Sequence, residues 1–269
     1  MKKNDLVKAL LRPEAIRNAV VFAMREDYFA DLAVHIPLSH GLTCPLFQLG
    51  HLLSFSEIFV QNGYEPVRPH WAKWPRRWLD LGCHAGYFSL WLEWQRRQHG
   101  QAEAGEALLV DANSTSGPAV GQVAEVNHLG AQWKYLRGLI DARVGEQAFF
   151  ERPFMASSTQ PDYAGQKAVQ LATLTAAEIQ RQFPGPYDLI KIDVEGAEWD
   201  FLAHYAPVYT QTRWLLIEWH VFPGRPDENE FARRLTAAGF GLPAVITPAH
   251  ESASASGKVR AGVWLCERL

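Results

Sequence analysis

From residue 76 onward, short apolar runs alternate with segments whose apolar residues recur at helical spacing. The apolar runs are Trp78–Leu81, Ala107–Val110, Trp133–Ile140, Tyr187–Ile192, Trp214–Ile217 and Val263–Cys266. Helices are predicted between several of them, at Phe88–Arg97, Gly117–Leu129, Ala176–Phe183, Ala197–Tyr205 and Glu228–Ala238. Apolar runs of about four to six residues are typical of parallel strands that are buried on both faces. The alternation therefore predicts a doubly wound α/β sheet.

The first 75 residues follow a different pattern. Apolar residues recur at helical spacing over residues 5–36, and a second helix is predicted over Leu46–Val60. Several prolines between residues 66 and 75 then mark a boundary. We therefore predict a helical N-terminal cap, residues 1–75, that packs on a main domain, residues 76–269. Aromatic side chains of the cap would form its own core or shape a binding pocket.

Two shorter stretches belong to the predicted main domain. Gly145–Glu151 has the pattern of an additional short strand. Ser252–Lys258 consists mostly of small polar residues, which predicts a mobile loop between two C-terminal strands.

Composition and charge narrow the class of protein. The chain has 269 residues, 48% of them hydrophobic, which suits a globular fold with a sizeable core. Its net charge of −3 favours neither nucleic acid nor an anionic membrane as a partner. The three cysteines are odd in number and widely spaced, which argues against a disulfide framework and a cysteine-based zinc site. We expect a cytoplasmic protein, because no apolar run suits a membrane helix or a secretory signal.

The turn after the first predicted strand carries the most informative chemistry. The strand contains Asp80, the turn holds Gly82 and Gly86, and an apolar helix follows. Ligands of doubly wound folds bind where strands end and helices begin, and glycines let the backbone approach them closely. A dinucleotide fingerprint needs a glycine where this chain has His84. This difference favours S-adenosylmethionine over NAD, as does Asp80, whose carboxylate would suit a cationic amino group. The alternative is a turn that binds no ligand.

Acidic residues also follow the second and third predicted strands. Asp111 could accept hydrogen bonds from two ribose hydroxyls, or it could cap a helix or turn. Asp141 lies where such folds often contact the adenine amino group, or it is an ordinary acid that opens the turn before Gly145. Both interpretations of each residue remain open at this point.

The segment Tyr187–Glu198, which contains Ile-Lys-Ile-Asp-Val-Glu-Gly-Ala-Glu, resembles the FkbM-type family of S-adenosylmethionine-dependent methyltransferases. Leu79–Leu90 is similar to the cofactor loop of that family, and Leu216–His220 is similar to its next strand end. Ser54–Val60, followed by Tyr64, resembles the segment that precedes the cofactor loop. The resemblance implies a Rossmann-like class I methyltransferase sheet of seven strands, the last one antiparallel, with S-adenosylmethionine as cofactor.

The chain departs from the family pattern in two places. Asp111-Ala112-Asn113 stands where Glu followed by Pro is usual, and Cys83-His84 stands where Ala-Asn is frequent. Neither change removes a group that the chemistry needs. The fold and the resemblance together assign these residues to the cofactor: Glu57, Tyr64, Asp80, Gly82, Cys83, His84, Gly86, Tyr87, Phe88, Asp111, Ala112, Asn113, Asp141 and Asp193.

Methyl transfer to a hydroxyl needs an acceptor held in line with the methyl group and a base for its proton. Asp193, Glu218 and His220 follow the fourth and fifth predicted strands and are the catalytic candidates. His220 is the better general base, because its unperturbed pKa lies near neutrality. Glu218, on the same side of the strand, would hold His220 or bind the acceptor. A structural histidine is the alternative for His220.

The acids after the fourth strand raise the question of a metal. Asp193, Glu195 and Glu198 would suit a magnesium ion, which prefers oxygen ligands. Acids are also common in the first turn of a helix, where they favour its N-terminus. We therefore assign no metal ligand.

The resemblance implies O-methylation of a small molecule, for example a natural product or a sugar. N- or carboxyl-methylation on the same scaffold is one alternative, and a binding module that retains the cofactor fold without catalysis is another. A nicotinamide-dependent oxidoreductase would need the missing glycine of the first turn.

Overall fold

The computed structural model describes residues 34–151, 168–254 and 257–269. The strands in these ranges are β1 (Val34–Pro37), β2 (Thr43–Leu46), β3 (Arg77–Leu81), β4 (Glu106–Asp111), β5 (Trp133–Arg137), β6 (Glu146–Phe149), β7 (Val169–Ala172), β8 (Tyr187–Ile192), β9 (Thr212–Val221), β10 (Ala244–Ser254) and β11 (Gly257–Glu267). The α-helices are α1 (Leu49–Phe55), α2 (Tyr87–Gln98), α3 (Ser116–Val126), α4 (Ala176–Gln182), α5 (Glu198–His204), α6 (Ala206–Tyr209) and α7 (Glu228–Ala237). A π-helical segment, Ser56–Val60, and a 3₁₀ helix, Glu65–His70, follow α1. None of the helices in these ranges is long and apolar enough to span a bilayer.

The largest sheet has seven strands in the order β10-β11-β9-β8-β3-β4-β5. Strands β5, β4, β3, β8 and β9 are parallel to one another, whereas β11 runs antiparallel to β9 and β10. The chain continues from β3 to β4 and β5 on one side, and then crosses to β8 and β9 on the other. This reversal opens a crevice at the carboxyl ends of β3 and β8. The predicted Rossmann-like sheet, with the last strand antiparallel, is therefore confirmed.

Two hydrophobic layers cover the faces of this sheet. Trp78 and Leu79 are consecutive in β3, so they point to opposite faces, and both are fully buried. Trp78 packs in the layer that includes Trp91 of α2, and Leu79 packs in the layer that includes Phe201 of α5. Burial on both faces is the reason that the strands read as continuous apolar runs.

Residues 34–75 are the described part of the predicted cap, and they pack on the first layer. Trp74 is buried against Trp91 of α2, with 6.0 Å between their ring centroids. The helical pattern predicted over residues 5–36 includes residues 34–36, but Val34–Pro37 is a strand whose side chains alternate in burial and whose backbone pairs with β2. The remainder of that predicted helix, residues 5–33, lies outside the described residues. The division into two domains stays a prediction.

Two element ends differ from the sequence predictions. Strand β9 continues to Val221 because β11 pairs with it from Trp214 onward. Glu218 and His220 consequently lie inside a strand, on one side of it, rather than beyond its end. The predicted loop Ser252–Lys258 is largely a continuation of β10 and β11, whose cross-strand pairing extends into it.

Candidate active site

The crevice at the carboxyl ends of β3 and β8 depends on one glycine. Gly82 directly follows β3 and has a φ of 76°, in the left-handed region that favours glycine. A Cβ at this position would lie 1.6 Å from the carbonyl oxygen of Asp193, which directly follows β8. Any side chain at residue 82 would therefore force the turn and the end of β8 apart. The absence of a side chain holds the Gly82–Gly86 turn directly against Asp193.

The same turn is tied to the end of β4. The backbone N–H of His84 donates a hydrogen bond of 2.7 Å to Asp111 Oδ2, and that of Asn113 donates one of 2.8 Å to Asp111 Oδ1. Asp111 therefore caps its own turn, yet its carboxylate is only half-buried and can accept further hydrogen bonds from ribose. The His84 ring also reaches the cap, because its Nδ1 lies 3.1 Å from Ser54 Oγ.

Asp80 lies beneath this turn and is fully buried. Ser89 Oγ donates to its Oδ2 at 2.8 Å, and Trp78 Nε1 donates in turn to Ser89 Oγ at 2.9 Å. The nearest cation to Asp80 is Lys191, whose Nζ lies 3.6 Å from Oδ1. Burial raises the pKa of Asp80, and Lys191 and Ser89 only partly offset it. The structure thus gives Asp80 a cationic partner within the chain, rather than exposure to a ligand.

Lys191 is the site residue that sequence reasoning missed. Its Nζ donates hydrogen bonds to the Gly82 carbonyl oxygen at 2.8 Å and to Asp193 Oδ2 at 3.2 Å. Burial alone would lower the pKa of Lys191, but Asp193 and Asp80 outweigh it and raise the pKa well above its ordinary value. The available signal was a lysine inside an otherwise apolar strand, because a buried cation requires paired anions.

A second group of titratable side chains lies between β8 and β9. His220 Nδ1 is 3.1 Å from Glu198 Oε1, while its Nε2 is 3.7 Å from Glu195 Oε2 and 4.0 Å from Glu218 Oε1. The sequence analysis gives Glu218 two possible roles, to hold His220 or to bind the acceptor; the carboxylate nearest to His220 is that of Glu198. The first turn of α5 therefore reaches across to β9.

The burial and proximity of these side chains shift their pKa values. Burial lowers the pKa of His220, but Glu198, Glu195 and Asp193 outweigh it and raise the pKa to about 10. Burial and Asp193 raise the pKa of Glu218 to about 8 and that of Glu195 to about 7. The His220 ring is consequently protonated on both nitrogens at neutral pH and cannot accept a further proton. Glu218, with its raised pKa, is a stronger base than an ordinary carboxylate.

Two cap residues face the same crevice. The ring of Tyr64 packs edge-on against Phe88, with centroids 4.8 Å apart. Burial raises the pKa of Tyr64 well above its ordinary value, and Lys191 only partly offsets it. Burial and the nearby Asp193 also raise the pKa of Glu57. The structure therefore brings both residues of the predicted cap segment to the end of β8.

Three other predicted cofactor residues have buried side chains. Cys83, Tyr87 and Phe88 are buried, and the Tyr87 hydroxyl donates to the carbonyl oxygen of Pro45. Of these three residues, only Cys83 lies within the Gly82–Gly86 turn, to which it contributes its backbone. Gly86 has a φ of 80° and forms the end of that turn.

The predicted adenine end has a separate arrangement. Ala112 packs beside a small apolar cluster that includes Leu139 and Phe149. Asp141 accepts hydrogen bonds from the Arg143 backbone N–H at 2.8 Å and from its Nε and Nη2 at 2.9 and 2.8 Å. These hydrogen bonds lower the pKa of Asp141 and favour the interpretation of Asp141 as a turn acid. Within the described residues, no group of His, Cys, Asp and Glu is arranged to hold a metal ion.

Comparison with known families decides the class of the protein. A family model described as the methyltransferase FkbM domain matches residues 101–242, just over half of the chain. The chain belongs to the FkbM methyltransferase family. The match includes the segment Tyr187–Glu198, on which the resemblance rests, but not the Gly82–Gly86 turn. A search of curated protein sequences found no match.

Solved methyltransferases are similar to this FkbM-family chain in fold. An O-methyltransferase from Bacillus cereus in complex with SAH is 12% identical, with 98% of this chain and 96% of that chain covered and a TM-score of 0.43. A precorrin-6y C5,15-methyltransferase from Geobacter metallireducens is 6% identical, with 78% and 88% covered and a TM-score of 0.45. TrmK from M. capricolum in complex with S-adenosyl-homocysteine is 9% identical, with 71% and 62% covered and a TM-score of 0.39.

The FkbM-family protein is therefore a methyltransferase, and its crevice has features that would suit S-adenosylmethionine. The Gly82 turn has no side chain between its backbone and the end of β8. Asp111 retains an accessible carboxylate at the end of β4, where ribose hydroxyls are held in such folds. The carboxylates around Asp193 suit a sulfonium cation.

Proposed function

We propose that this methyltransferase transfers the methyl group to a hydroxyl of a small molecule. The acceptor would bind between the cap and the carboxyl ends of β8 and β9. The proposal rests on Glu218, whose partly exposed carboxyl group lies where the acceptor would bind. The pKa of this group is raised to about 8. A hydroxyl loses its proton during methylation, and a base whose pKa is close to the working pH is best suited to remove it.

Each of the three catalytic candidates would have a separate role in the reaction. S-adenosylmethionine supplies, when bound, a methyl group on a good leaving group. Glu218 takes the proton of the acceptor hydroxyl, and the charged His220 ring lies beside it. Asp193, held by Lys191 at 3.2 Å, orients the cofactor or the acceptor. His220 thus remains a proposed catalytic residue, but as a hydrogen-bond donor rather than as the general base.

On the cofactor side, the proposal rests on the Gly82–Gly86 turn and on the end of β4. The turn would present its backbone to the methionine part of the cofactor. Asp111 would hold ribose, with Ala112 and Asn113 shaping the neighbouring surface. Glu57 and Tyr64 would close the crevice from the cap. Asp141 is the weakest member of this set, because Arg143 already occupies both of its carboxylate oxygens.

The charge of the crevice supports a small molecule rather than a nucleic acid as acceptor. Glu57, Asp193, Glu195 and Glu218 lie close to one another at the crevice, and those that are ionised at the working pH would repel a phosphate backbone. A natural product or a sugar as acceptor, and a cytoplasmic location, stay predictions.

Calorimetric titration with S-adenosylhomocysteine tests the cofactor, with NAD as control and with magnesium present or absent. We expect micromolar binding of S-adenosylhomocysteine alone, independent of magnesium. Binding of NAD, or no binding of S-adenosylhomocysteine by folded protein, would overturn the assignment of the crevice. An acceptor screen with hydroxyl compounds and their amine and carboxyl analogues then tests the methylated atom. We expect products from the hydroxyl series, and products from the amine series alone would refute O-methylation.

A further inference from the structure

Glu198 is, like Asp80, a completely buried carboxylate of the candidate active site. Its Oε1 accepts hydrogen bonds from the backbone N–H groups of Val194 at 3.2 Å and Gly196 at 3.0 Å, and it lies 3.1 Å from His220 Nδ1. The residue has no exposed surface. Its Oε2 has no partner in the part of the chain that the structure describes. All the hydrogen bonds that stabilise this buried carboxylate are therefore made by Oε1. Within the described residues, His220 is the only side chain among the partners of that oxygen.

The position of Glu198 does more than stabilise the start of α5. Its carboxylate turns back over the preceding turn and reaches across to β9. The neighbouring Trp199 donates from Nε1 to the carbonyl oxygen of His220 at 3.1 Å. The same helical turn thus holds both the ring and the backbone of His220. Glu195, with a φ of 51°, is held by this turn so that its carboxylate faces the other nitrogen of the ring.

We propose that Glu198 is the positioning residue of the active site. It fixes the His220 ring with the Nδ1–H directed at α5 and the Nε2–H directed at Glu195 and Glu218. It also keeps that ring charged, because a buried imidazolium needs a paired anion. The charged ring in turn leaves Glu218 as the base. Only this last step rests on the proposed function; the positioning of His220 does not.

Nuclear magnetic resonance of protein with ¹³C-labelled histidine tests the positioning without an acceptor. The His220 ring signal is assigned as the one that disappears in His220→Asn, and its titration midpoint is compared between wild type and Glu198→Gln. Glutamine preserves the volume and an acceptor oxygen for the two backbone N–H groups but removes the charge. We expect the midpoint of His220 to fall by at least one pH unit.

A matched control separates this effect from the general role of an acid in the first turn of a helix. Glu178 lies in the first turn of α4 and accepts a hydrogen bond from the backbone N–H of Thr175, and no histidine of the described residues pairs with it. Glu178→Gln should leave the midpoint of His220 unchanged. An unchanged midpoint in folded Glu198→Gln would overturn the proposal. If Glu198→Gln does not fold, Glu198→Asp replaces it, and its shortened carboxylate should lower the midpoint by a smaller amount.

Kinetic measurements with an identified acceptor complete the test. We expect Glu198→Gln to lower kcat at least tenfold, to leave the KM for S-adenosylmethionine within about threefold, and to move the alkaline limb of the pH profile to lower pH. Glu198→Asp should restore part of kcat. A lowered His220 midpoint without any effect on kcat would retain the positioning but refute the proposed role of Glu218 and His220. An equal loss of kcat and S-adenosylhomocysteine binding would indicate a merely structural role and overturn the proposal.

Discussion

The two ends of the crevice are built from different physical elements. At the cofactor end, Gly82 and Asp111 are fixed by backbone conformation and by backbone N–H groups. At the acceptor end, Glu218 and His220 face other titratable side chains, at distances of 3.1 to 4.0 Å from the His220 ring. On the proposed function, the first end would determine the position of the cofactor through shape, and the second would determine the position of protons through charge. Binding of the cofactor should therefore respond to steric changes, and turnover to changes of charge and pH.

The largest expected effect is that of Gly82→Ala. The new Cβ would lie 1.6 Å from the Asp193 carbonyl oxygen, so β3 and β8 would have to separate at the crevice. We expect loss of S-adenosylhomocysteine binding in calorimetry and a loss of unfolding free energy of more than about 4 kcal/mol.

Gly41→Ala is the matched control for this substitution. Gly41 has a similar φ of 73°, but nothing lies within 4 Å of its Cβ position. Its cost should be limited to backbone strain, about 1–2 kcal/mol, with cofactor binding unchanged. Equal effects of the two substitutions in thermal unfolding would mean that φ, and not the contact with β8, makes glycine necessary at residue 82.

The next largest effect is expected for Glu218→Gln. The amide cannot accept the acceptor's proton, so kcat should fall by about 10² to 10⁴-fold. Binding of S-adenosylhomocysteine should stay within about threefold of wild type. Glu195, the other acid near His220 Nε2, provides the comparison, and Glu195→Gln should have a smaller effect on kcat. If Glu195→Gln is the more damaging of the two, the base is Glu195.

The contrast between the two ends also explains how far sequence reasoning reached. The Gly82–Gly86 turn could be predicted because its pattern lies in one continuous stretch of sequence, in which an apolar strand, two glycines and an apolar helix follow one another directly. The partner of His220 could not, because Glu198 and His220 are 22 residues apart and meet only when α5 packs against β9. Proximity in the sequence favoured Glu218 instead.

Lys191 shows the same limit at the centre of the sheet. Its partner Asp80 lies opposite in the register of β3 and β8, 111 residues away in sequence. An apolar strand pattern predicts burial, but it does not identify the strand that supplies the counter-charge. The order of strands was needed for that, and it followed from the family resemblance rather than from the periodicity.

A smaller effect is expected for Asp111→Ala at the cofactor end. This change removes the acceptor of two backbone N–H groups together with the proposed ribose ligand. We expect S-adenosylhomocysteine binding to weaken by about 1.5–3 kcal/mol in calorimetry, the range for hydrogen bonds to a charged group. Ser114→Ala, three residues after Asp111, should change binding by less than about 0.5 kcal/mol. Unchanged binding in Asp111→Ala would leave this residue as a turn cap only.

The mildest test leaves the sequence intact and varies pH. Glu218 faces Asp193, His220, Lys191 and Glu195, and it must lose its proton to act as a base. We therefore expect kcat/KM to rise about tenfold per pH unit below about 8. His220 must keep its proton, so kcat/KM should fall as pH passes about 10. Cofactor binding, which depends on shape, should stay level between these limits.

The stability of the fold should fall with rising pH through both groups, but in different pH ranges. The pKa of His220 is raised, so its contribution to stability is complete below its ordinary value and is lost as pH rises through about 10. The pKa of Glu218 is also raised, so its ionisation costs stability as pH rises from the ordinary carboxyl range to about 8. Urea unfolding of wild type and His220→Asn between pH 7 and 10.5 isolates the first contribution. If the difference between the two proteins is constant over this range, the His220 ring is not held charged by its carboxylates, and the acceptor end does not work through charge.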